Sequence, residues 1–346
     1  MDDFFIESEE HDDDCKVLQF YETRRLRKCV VYTIEEYTVD EPKENLDSIS
    51  TTSTSEEDDD GVLEAPSSVF TVQEFYNKFI VRTYEECIEE YNCAQRSLKW
   101  HNARKHSITA SNFGAAAGNN SYQSPKELVI DKLWNTFKGN AFTMYGSFHE
   151  QDAFRSLQKA LEGPLQSTVS SIYASVYKNY ENDDLKCIIH ETGLLKSYTE
   201  PWIAVSPDGL LEIQGHCGSM MVLIEYKCPA RSRHSQTHPY SRYKHNMPEY
   251  YVDQVQGIMG LFDKCKDLIS MTVPSCISGP QICLFVVWQP IQIHVTLVPY
   301  DQQYFTQSLY PKLKQWFFEQ YLPFAVLKEN DLLLPKSLDV IQEIVL

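Results

Sequence analysis

Two neighbouring stretches constrain this chain more than any others: Trp202-Ile-Ala-Val-Ser-Pro-Asp-Gly-Leu-Leu211 and Met221-Val-Leu-Ile-Glu-Tyr-Lys-Cys-Pro229. The first reads as a strand that runs into a tight turn carrying Asp208, because Pro-Asp-Gly combines a preset φ, a side chain that can bond its own backbone, and freedom at positive φ. The second reads as a strand. Side chains on a strand alternate between its faces, so Glu225 and Lys227 share one face and Tyr226 points to the other. Val222 and Ile224 share the face of Tyr226 and suit a packed core. An acid beside a lysine at the end of an apolar strand is costly to bury. With Asp208 nearby, the pair could hold a divalent cation and activate a water. Taken alone, each piece is unspecific: Pro207-Asp208-Gly209 is first a turn signal, and a lone Glu-X-Lys on a strand is commonly a solvated alternation.

The 346 residues allow one large domain or two small ones, and 42% hydrophobic content is enough for a core. No run of apolar residues is long enough to span a bilayer, so no membrane partner is expected. The acidic start, Met1-Asp-Asp-Phe-Phe-Ile-Glu7, lacks the pattern of a signal peptide. An intracellular protein is expected, in nucleus or cytoplasm. The net charge of −18 looks wrong for a nucleic-acid enzyme until it is divided. Residues 1–65 hold 21 of the 49 acids against 6 of the 31 lysines and arginines, a balance of −15, and the rest carries only −3. Local basic patches on that remainder can bind phosphate. The ten cysteines show no C-x-x-C pair and no zinc-type spacing, which points to free thiols in a reducing compartment.

Composition divides the chain into an acidic extension, residues 1–66, a folded domain, residues 67–330, and a tail, residues 331–346. Within the extension, residues 15–39 have the composition of a short hairpin around Arg24-Arg-Leu-Arg-Lys28, while residues 40–66 read as a disordered Ser/Thr-rich acidic linker. Thr71 can cap an amphipathic helix carrying Phe70, Val72, Phe75, Phe79 and Ile80, and Thr83 with Glu86 forms a capping box for a second. A helix is expected from Ser124 to about Phe137. Another is expected from about Thr143 to Leu161, with Gly146 and Glu150 one turn apart so that a close approach brings Glu150 to the strands. Residues 187–196, 202–205, 210–213 and 221–227 read as an antiparallel meander packed by that helix. Between Lys227 and Glu249 there is no acid, but Arg231, Arg233, Arg242, Lys244 and three histidines occur with Tyr240 and Tyr243 interleaved. That composition suits a loop on the DNA backbone, or simply a solvated loop. Tyr250–Phe262 reads as a helix whose Gln254 and Gln256 are by default exposed. A hairpin over 282–288 and 291–298 and a helix over 301–321 complete the reading.

Trp100-His-Asn-Ala-Arg-Lys-His-Ser-Ile-Thr-Ala-Ser-Asn-Phe-Gly114 mixes hydroxyls with Arg104, Lys105 and His106. Such a mix suits a phosphate pocket or an ordinary helix cap with surface bases. Together, Trp-x-x-x-Arg-x-x-x-Ile-Thr-Ala-Ser, the glycine before Glu150, Ser206-Pro-Asp-Gly-Leu210, Glu225-Tyr-Lys-Cys-Pro229 and the Tyr-x-x-Gln-x-Gln helix resemble, in order, the PD-(D/E)XK nucleases. The wording is similar to their lambda-exonuclease branch, the YqaJ-type viral recombinases. The resemblance covers residues 96–262. It implies an α/β (α+β) restriction-endonuclease-like core, a mixed central β-sheet flanked by helices.

The implied activity is a Mg²⁺-dependent 5′→3′ exonuclease on linear duplex DNA, in recombination or repair, with Mn²⁺ able to substitute. The implied metal ligands are Asp208, Glu225, Glu150 and the carbonyl of Tyr226. Lys227 would orient or acidify the water, and Gln254 would reach the catalytic centre. Arg104, Ser111 and Ser206 would seat the 5′ phosphate, with Arg231 and Arg233 on the DNA. Implied partners are duplex DNA ends, a single-strand annealing recombinase and further copies of the chain in a homo-oligomer. Two other readings stay open: a structure-specific endonuclease, and a DNA-end-binding protein with little catalysis.

Overall fold

The computed structural model describes residues 16–21, 29–34, 69–134, 139–180, 184–230, 247–272, 279–290 and 292–332, the first two segments by their backbone course alone. The acidic linker with the expected limit at residue 66, Phe137, the loop bearing Arg231, Arg233, Arg242 and Lys244, and residues 333–346 lie outside the described residues.

Strands β1 (Lys16–Tyr21) and β2 (Cys29–Ile34) pair antiparallel. Helices α1 (Val72–Phe79) and α2 (Tyr84–Tyr91) follow, and both begin with the reciprocal side-chain cap, from Thr71 to Glu74 and from Thr83 to Glu86. Each cap satisfies two amide donors that a helix start leaves open. Ser97 caps α3 (Leu98–Arg104), which leads into the short strand β3 (Ile108–Thr109) and helix α4 (Phe113–Ala116). Then come α5 (Pro125–Trp134), α6 (Ala141–Phe148), α7 (Glu150–Leu161) and α8 (Gln166–Val176). The strand region holds β4 (Lys186–His190), β5 (Leu195–Lys196), β6 (Ile203–Val205), β7 (Gly209–Gly215) and β8 (Gly218–Lys227). After α9 (Glu249–Phe262) and α10 (Lys266–Thr272), the hairpin β9 (Ile282–Gln289) and β10 (Gln292–Pro299) leads to a last helix, α11, over residues 302–329.

The large sheet is ordered β1-β2-β10-β9-β8-β7-β4, and β3-β6-β5 forms a small one. All neighbours in the large sheet are antiparallel except β8 and β9. That parallel pair requires a long crossover, which α9 supplies. Alternation on β8 sorts its side chains as the period of two demands. Val222, Ile224 and Tyr226 pack with Ala153, Leu157, Val169 and Tyr173 of α7 and α8. Met221 and Leu223 face the opposite core with Val255, Ile258 and Phe262 of α9 and Leu313 and Trp316 of α11. The molecule is therefore a mixed sheet between two helical layers. Glu225 and Lys227 stand on the α9 face. No helix among the described residues is long and apolar enough to cross a membrane.

The structure corrects several local expectations. The strands do not form one meander. Residues 187–196 divide into β4 and β5, which belong to different sheets, and β6 pairs with β3 and β5 rather than with β7. The break falls at Glu191–Leu194, where a Cβ added to Gly193 would lie 1.6 Å from the carbonyl oxygen of Tyr91. The helix expected over 143–161 is broken at His149, whose ring stacks on Trp288 and whose Nδ1 lies 2.9 Å from Asp152 Oδ2. At Gly146 an added Cβ would meet only an ordinary contact, 3.6 Å from the carbonyl of Cys228, so close packing does not require a glycine there. Gln256 is fully buried: its amide donates to Pro299 and its oxygen accepts from the Asp301 N–H. The last helix runs on to Glu329. Its hydrogen bonding widens over Phe305–Leu309 and Trp316–Tyr321, each just ahead of a proline, Pro311 and Pro323. Proline lacks the N–H and its ring crowds the carbonyl four residues back, so a wider turn accommodates it.

His106 carries a testable consequence of this packing. Its ring lies 5.4 Å from those of both Phe75 and Phe79, and its Nδ1 is 3.3 Å from the Tyr321 hydroxyl. Burial, and then the charges of Lys105, Lys132, Arg82 and Lys328, push its pKa down to about 3. Below the ordinary value of 6.5 the unfolded chain gains a proton that the fold refuses, so stability is full above that pH and is lost as pH falls towards 3. Between pH 7 and pH 5 the wild type should lose roughly 2 kcal/mol more than His106→Gln. Urea unfolding at the two pH values checks this, and parallel losses in both proteins would refute it.

Candidate active site

Asp208 occupies the step between the two sheets: β6 of the small sheet ends at Val205, and β7 of the large sheet begins at Gly209. Several bonds fix that step. Gln95 donates to the carbonyls of Thr192 and Pro207 at 2.8 and 2.9 Å, and the Thr192 hydroxyl also donates to Pro207, at 2.9 Å. Asp208 itself accepts the Tyr226 N–H at 2.7 Å, which ties the turn to the strand that carries Glu225 and Lys227.

Glu225 is 2% exposed in the middle of the sheet, between β7 and β9. Its Oε1 accepts from Lys227 Nζ at 2.6 Å and from the side-chain amide of Gln254 on α9. Its other oxygen, Oε2, is buried with no hydrogen-bond partner. Burial and the neighbouring Asp208 carboxylate push the Glu225 pKa up to about 7, against the opposing pull of Lys227 and Gln254. The Asp208 carboxyl is also raised by burial, while Lys227, the Tyr226 amide and Arg96 draw it down. Lys227 Nζ stands 4.9 Å from the centre of the Tyr251 ring. The centre is thus a close carboxylate pair with one lysine and one orphaned buried oxygen. Two carboxylates against one lysine leave a net negative charge, and their hard oxygen donors suit a small divalent cation.

Glu150 stands apart from that pair. At the start of α7 it forms an ion pair with Arg96, whose Nη1 also donates to the Ser147 carbonyl at 3.3 Å. Among the described residues no three carboxylates, imidazoles or thiols stand close enough together to cage a metal. A cleft of about 600 Å³ opens beside the centre, and Gln95, Arg96, Glu150, Gln151, Asp208 and Tyr226 contribute to its wall.

The phosphate-pocket candidates assemble through Trp100. The Arg104 guanidinium lies 3.7 Å from the centre of its ring, and its indole N–H donates to the Ser206 hydroxyl at 3.2 Å. Ser206 donates in turn to the Gly193 carbonyl at 3.2 Å. Burial lowers the Arg104 pKa to about 10, which leaves it charged, and its Nε is buried with no partner. Ser111 is exposed on the turn after β3. The parallel pairing of β3 with β6, Ile108 opposite Ile203, carries the 104–111 segment to the strand that leads into Ser206 and Asp208. Two contributors escape a reading of the sequence, Gln95 as the tie to the Asp208 turn and Arg96 as the partner of Glu150, while Trp100 is legible as part of its motif but not as the bridge between Arg104 and Ser206. The only signal for Gln95 and Arg96 is their place just ahead of α3.

Residues 99–263, from α3 to the end of α9, match the family model of the YqaJ-like viral recombinase domain. No curated protein matches the chain. The matched segment contains Arg104, Ser111, Glu150, Ser206, Asp208, Glu225, Lys227 and Gln254, and it excludes the 29–34 strand and the β9–β10 hairpin that complete the large sheet. The chain therefore carries a YqaJ-like viral recombinase domain of the lambda-exonuclease type, in the PD-(D/E)XK family.

Proposed function

We propose that the protein is a divalent-metal-dependent DNA exonuclease that removes nucleotides from phosphorylated 5′ ends of linear duplex. One observation carries this reading. Ser206, joined through Trp100 to Arg104, lies two residues from Asp208 on the segment between the two sheets. This arrangement supports an end-phosphate seat beside a hydrolytic carboxylate, so that seating the end would set the bond to be cut.

A Mg²⁺ ion on Asp208 and Glu225, with the Tyr226 carbonyl as a further ligand and Mn²⁺ as a substitute, would supply Lewis acidity and acidify a water. Lys227, bound to Glu225, would orient that water and offset negative charge as the phosphoryl group is attacked. Gln254 fixes the Glu225 carboxylate from α9. Arg104 and Ser206, with Ser111, would bind the terminal phosphate. Arg231 and Arg233 follow β8 directly in sequence and would lie along the duplex backbone. The single strand left behind is the product a strand-annealing recombinase would take up.

The test compares linear duplexes carrying 5′-phosphate or 5′-hydroxyl ends, for the wild type and Arg104→Ala. The wild type should prefer phosphate, and Arg104→Ala should lose that preference, on the order of 10- to 100-fold for a charge-assisted bond. Survival of linear DNA while circular or branched DNA is cut would replace this reading with a structure-specific endonuclease. Binding of ends without cleavage would make the protein an end-binding factor.

A further inference from the structure

The cleft beside Asp208 has a cation on its wall, Arg96, that no step described so far uses. Its backbone stands at φ 66°, in the left-handed region that L residues other than asparagine and aspartate seldom adopt. A glycine would sit there without strain. The ion pair with Glu150 does not repay that strain, because the two side chains are 50% and 31% exposed and water screens the attraction. The one further bond of the guanidinium goes to the Ser147 carbonyl, at 3.3 Å. What the strained turn secures is a place. On one side Gln95 ties it to the carbonyls of Thr192 and Pro207, next to Asp208. On the other side Ser97 caps α3, the helix that carries Trp100 and Arg104. Arg96 is thus fastened between the Arg104 seat and the Asp208 turn, with half of its side chain open to solvent.

We infer that Arg96 is a substrate-binding residue, whose guanidinium gives up Glu150 for the non-bridging oxygens of the first internucleotide phosphate, the one to be cut. The inference rests on the end-directed nuclease reading given above. Position supports it. With the terminal phosphate on Arg104 and Ser206, the next phosphate of the strand falls towards Asp208, and Arg96 shares a cleft wall with that residue. The charge of Arg96 already acts on the Asp208 carboxyl, against the burial that raises it, so the reacting centre is within its electrostatic reach. The partners of the two nearby cations differ in hold. Lys227 is kept by the buried Glu225 at 2.6 Å, whereas the screened pair with Glu150 is easily exchanged. A planar guanidinium fork matches two phosphate oxygens, and negative charge grows on those oxygens as the phosphorus is attacked. The cleft, at about 600 Å³, is of the size that admits a small ligand such as a nucleotide. Without DNA, Glu150 keeps the guanidinium in the cleft.

Binding of a 5′-phosphorylated linear duplex to the full chain in chelator, where nothing is cleaved, tests this. Single internucleotide phosphates near the 5′ end are replaced in turn by a neutral methylphosphonate, and Kd is read by fluorescence anisotropy. Replacing the first one should weaken wild-type binding on the order of 10-fold, the loss of one charge-assisted bond. Arg96→Gly and Arg96→Asn both accept the left-handed backbone. Each should bind unmodified DNA more weakly by about the same factor, lose nothing further at the first phosphate, and respond like the wild type at the others. Both should keep the wild-type melting temperature. An arginine that only fastens α7 to the turn would give lower melting temperatures in both variants with the first-phosphate effect retained, and that result would overturn the inference. So would a wild type indifferent to the first replacement. If the wild type still prefers 5′-phosphate over 5′-hydroxyl ends in either case, the end-directed reading stands without this residue. If that preference is absent too, the reading falls and the inference with it.

Discussion

Asp208→Asn should abolish DNA hydrolysis while leaving the fold in place. The asparagine oxygen can still accept the Tyr226 N–H that Asp208 accepts at 2.7 Å, so the step between the sheets keeps its anchor. What disappears is one negative charge of the buried pair with Glu225, the pair that would hold the cation. Loss of one preorganised electrostatic group at a reacting centre costs roughly 10²- to 10³-fold, and loss of the cation would add to that. Removing the repulsion between two desolvated carboxylates should at the same time leave the melting temperature of the metal-free protein unchanged or raised. Degradation of end-labelled linear duplex in Mg²⁺, together with calorimetric melting in chelator, measures both. Hydrolysis within tenfold of the wild type would remove Asp208 from the chemistry.

The second large effect is on stability. Lys196 is 1% exposed, donates to the Ala103 carbonyl at 2.7 Å and lies 3.0 Å from Glu90 Oε2. Glu90, itself buried, also accepts from Arg82 Nε at 2.8 Å. This lysine joins α2, β5 and the end of α3, the turn from which Arg104 projects. Lys196→Met keeps the volume and removes the charge, which leaves a buried carboxylate short of a partner. Breaking a buried pair from one side costs about 3–5 kcal/mol, and at this size that lowers the melting temperature by roughly 10 °C. Lys196→Met/Glu90→Gln should recover much of the loss, because both charges are then absent. A single-variant loss below about 1 kcal/mol would mean that the pair is not a structural fastening.

Those two residues also illustrate how differently the chain can be read. Asp208, Glu225 and Lys227 stand out in the sequence because their signal is local: a turn tripeptide, then an apolar strand in which a period of two sets an acid and a lysine on one face. The caps at Thr71 and Thr83 and the Met221–Lys227 strand are legible for the same reason. The cue lies within a few residues, and the physics that enforces it acts over the same range. Lys196, in contrast, looks like any lysine at the end of an apolar run. Its burial depends on α2 and α3, which lie about a hundred residues away in sequence.

What the sequence by itself determined is the capped helix starts at Thr71 and Thr83, the order of the motifs and the face of β8 that carries Glu225 and Lys227, since each follows from short-range periodicity and side-chain type. Tertiary structure alone decided which sheet each short strand joined, because pairing of a two- or three-residue strand such as β5 or β6 is set by its neighbours and not by its own composition. It also decided that Gln256 is buried, that His149 breaks a helix against Trp288, and that Trp100 couples Arg104 to Ser206. Above all it decided that Glu150 faces Arg96. A long charged side chain takes whichever partner the packed backbone brings within reach, and that choice is made only once distant segments have closed around the Asp208 turn.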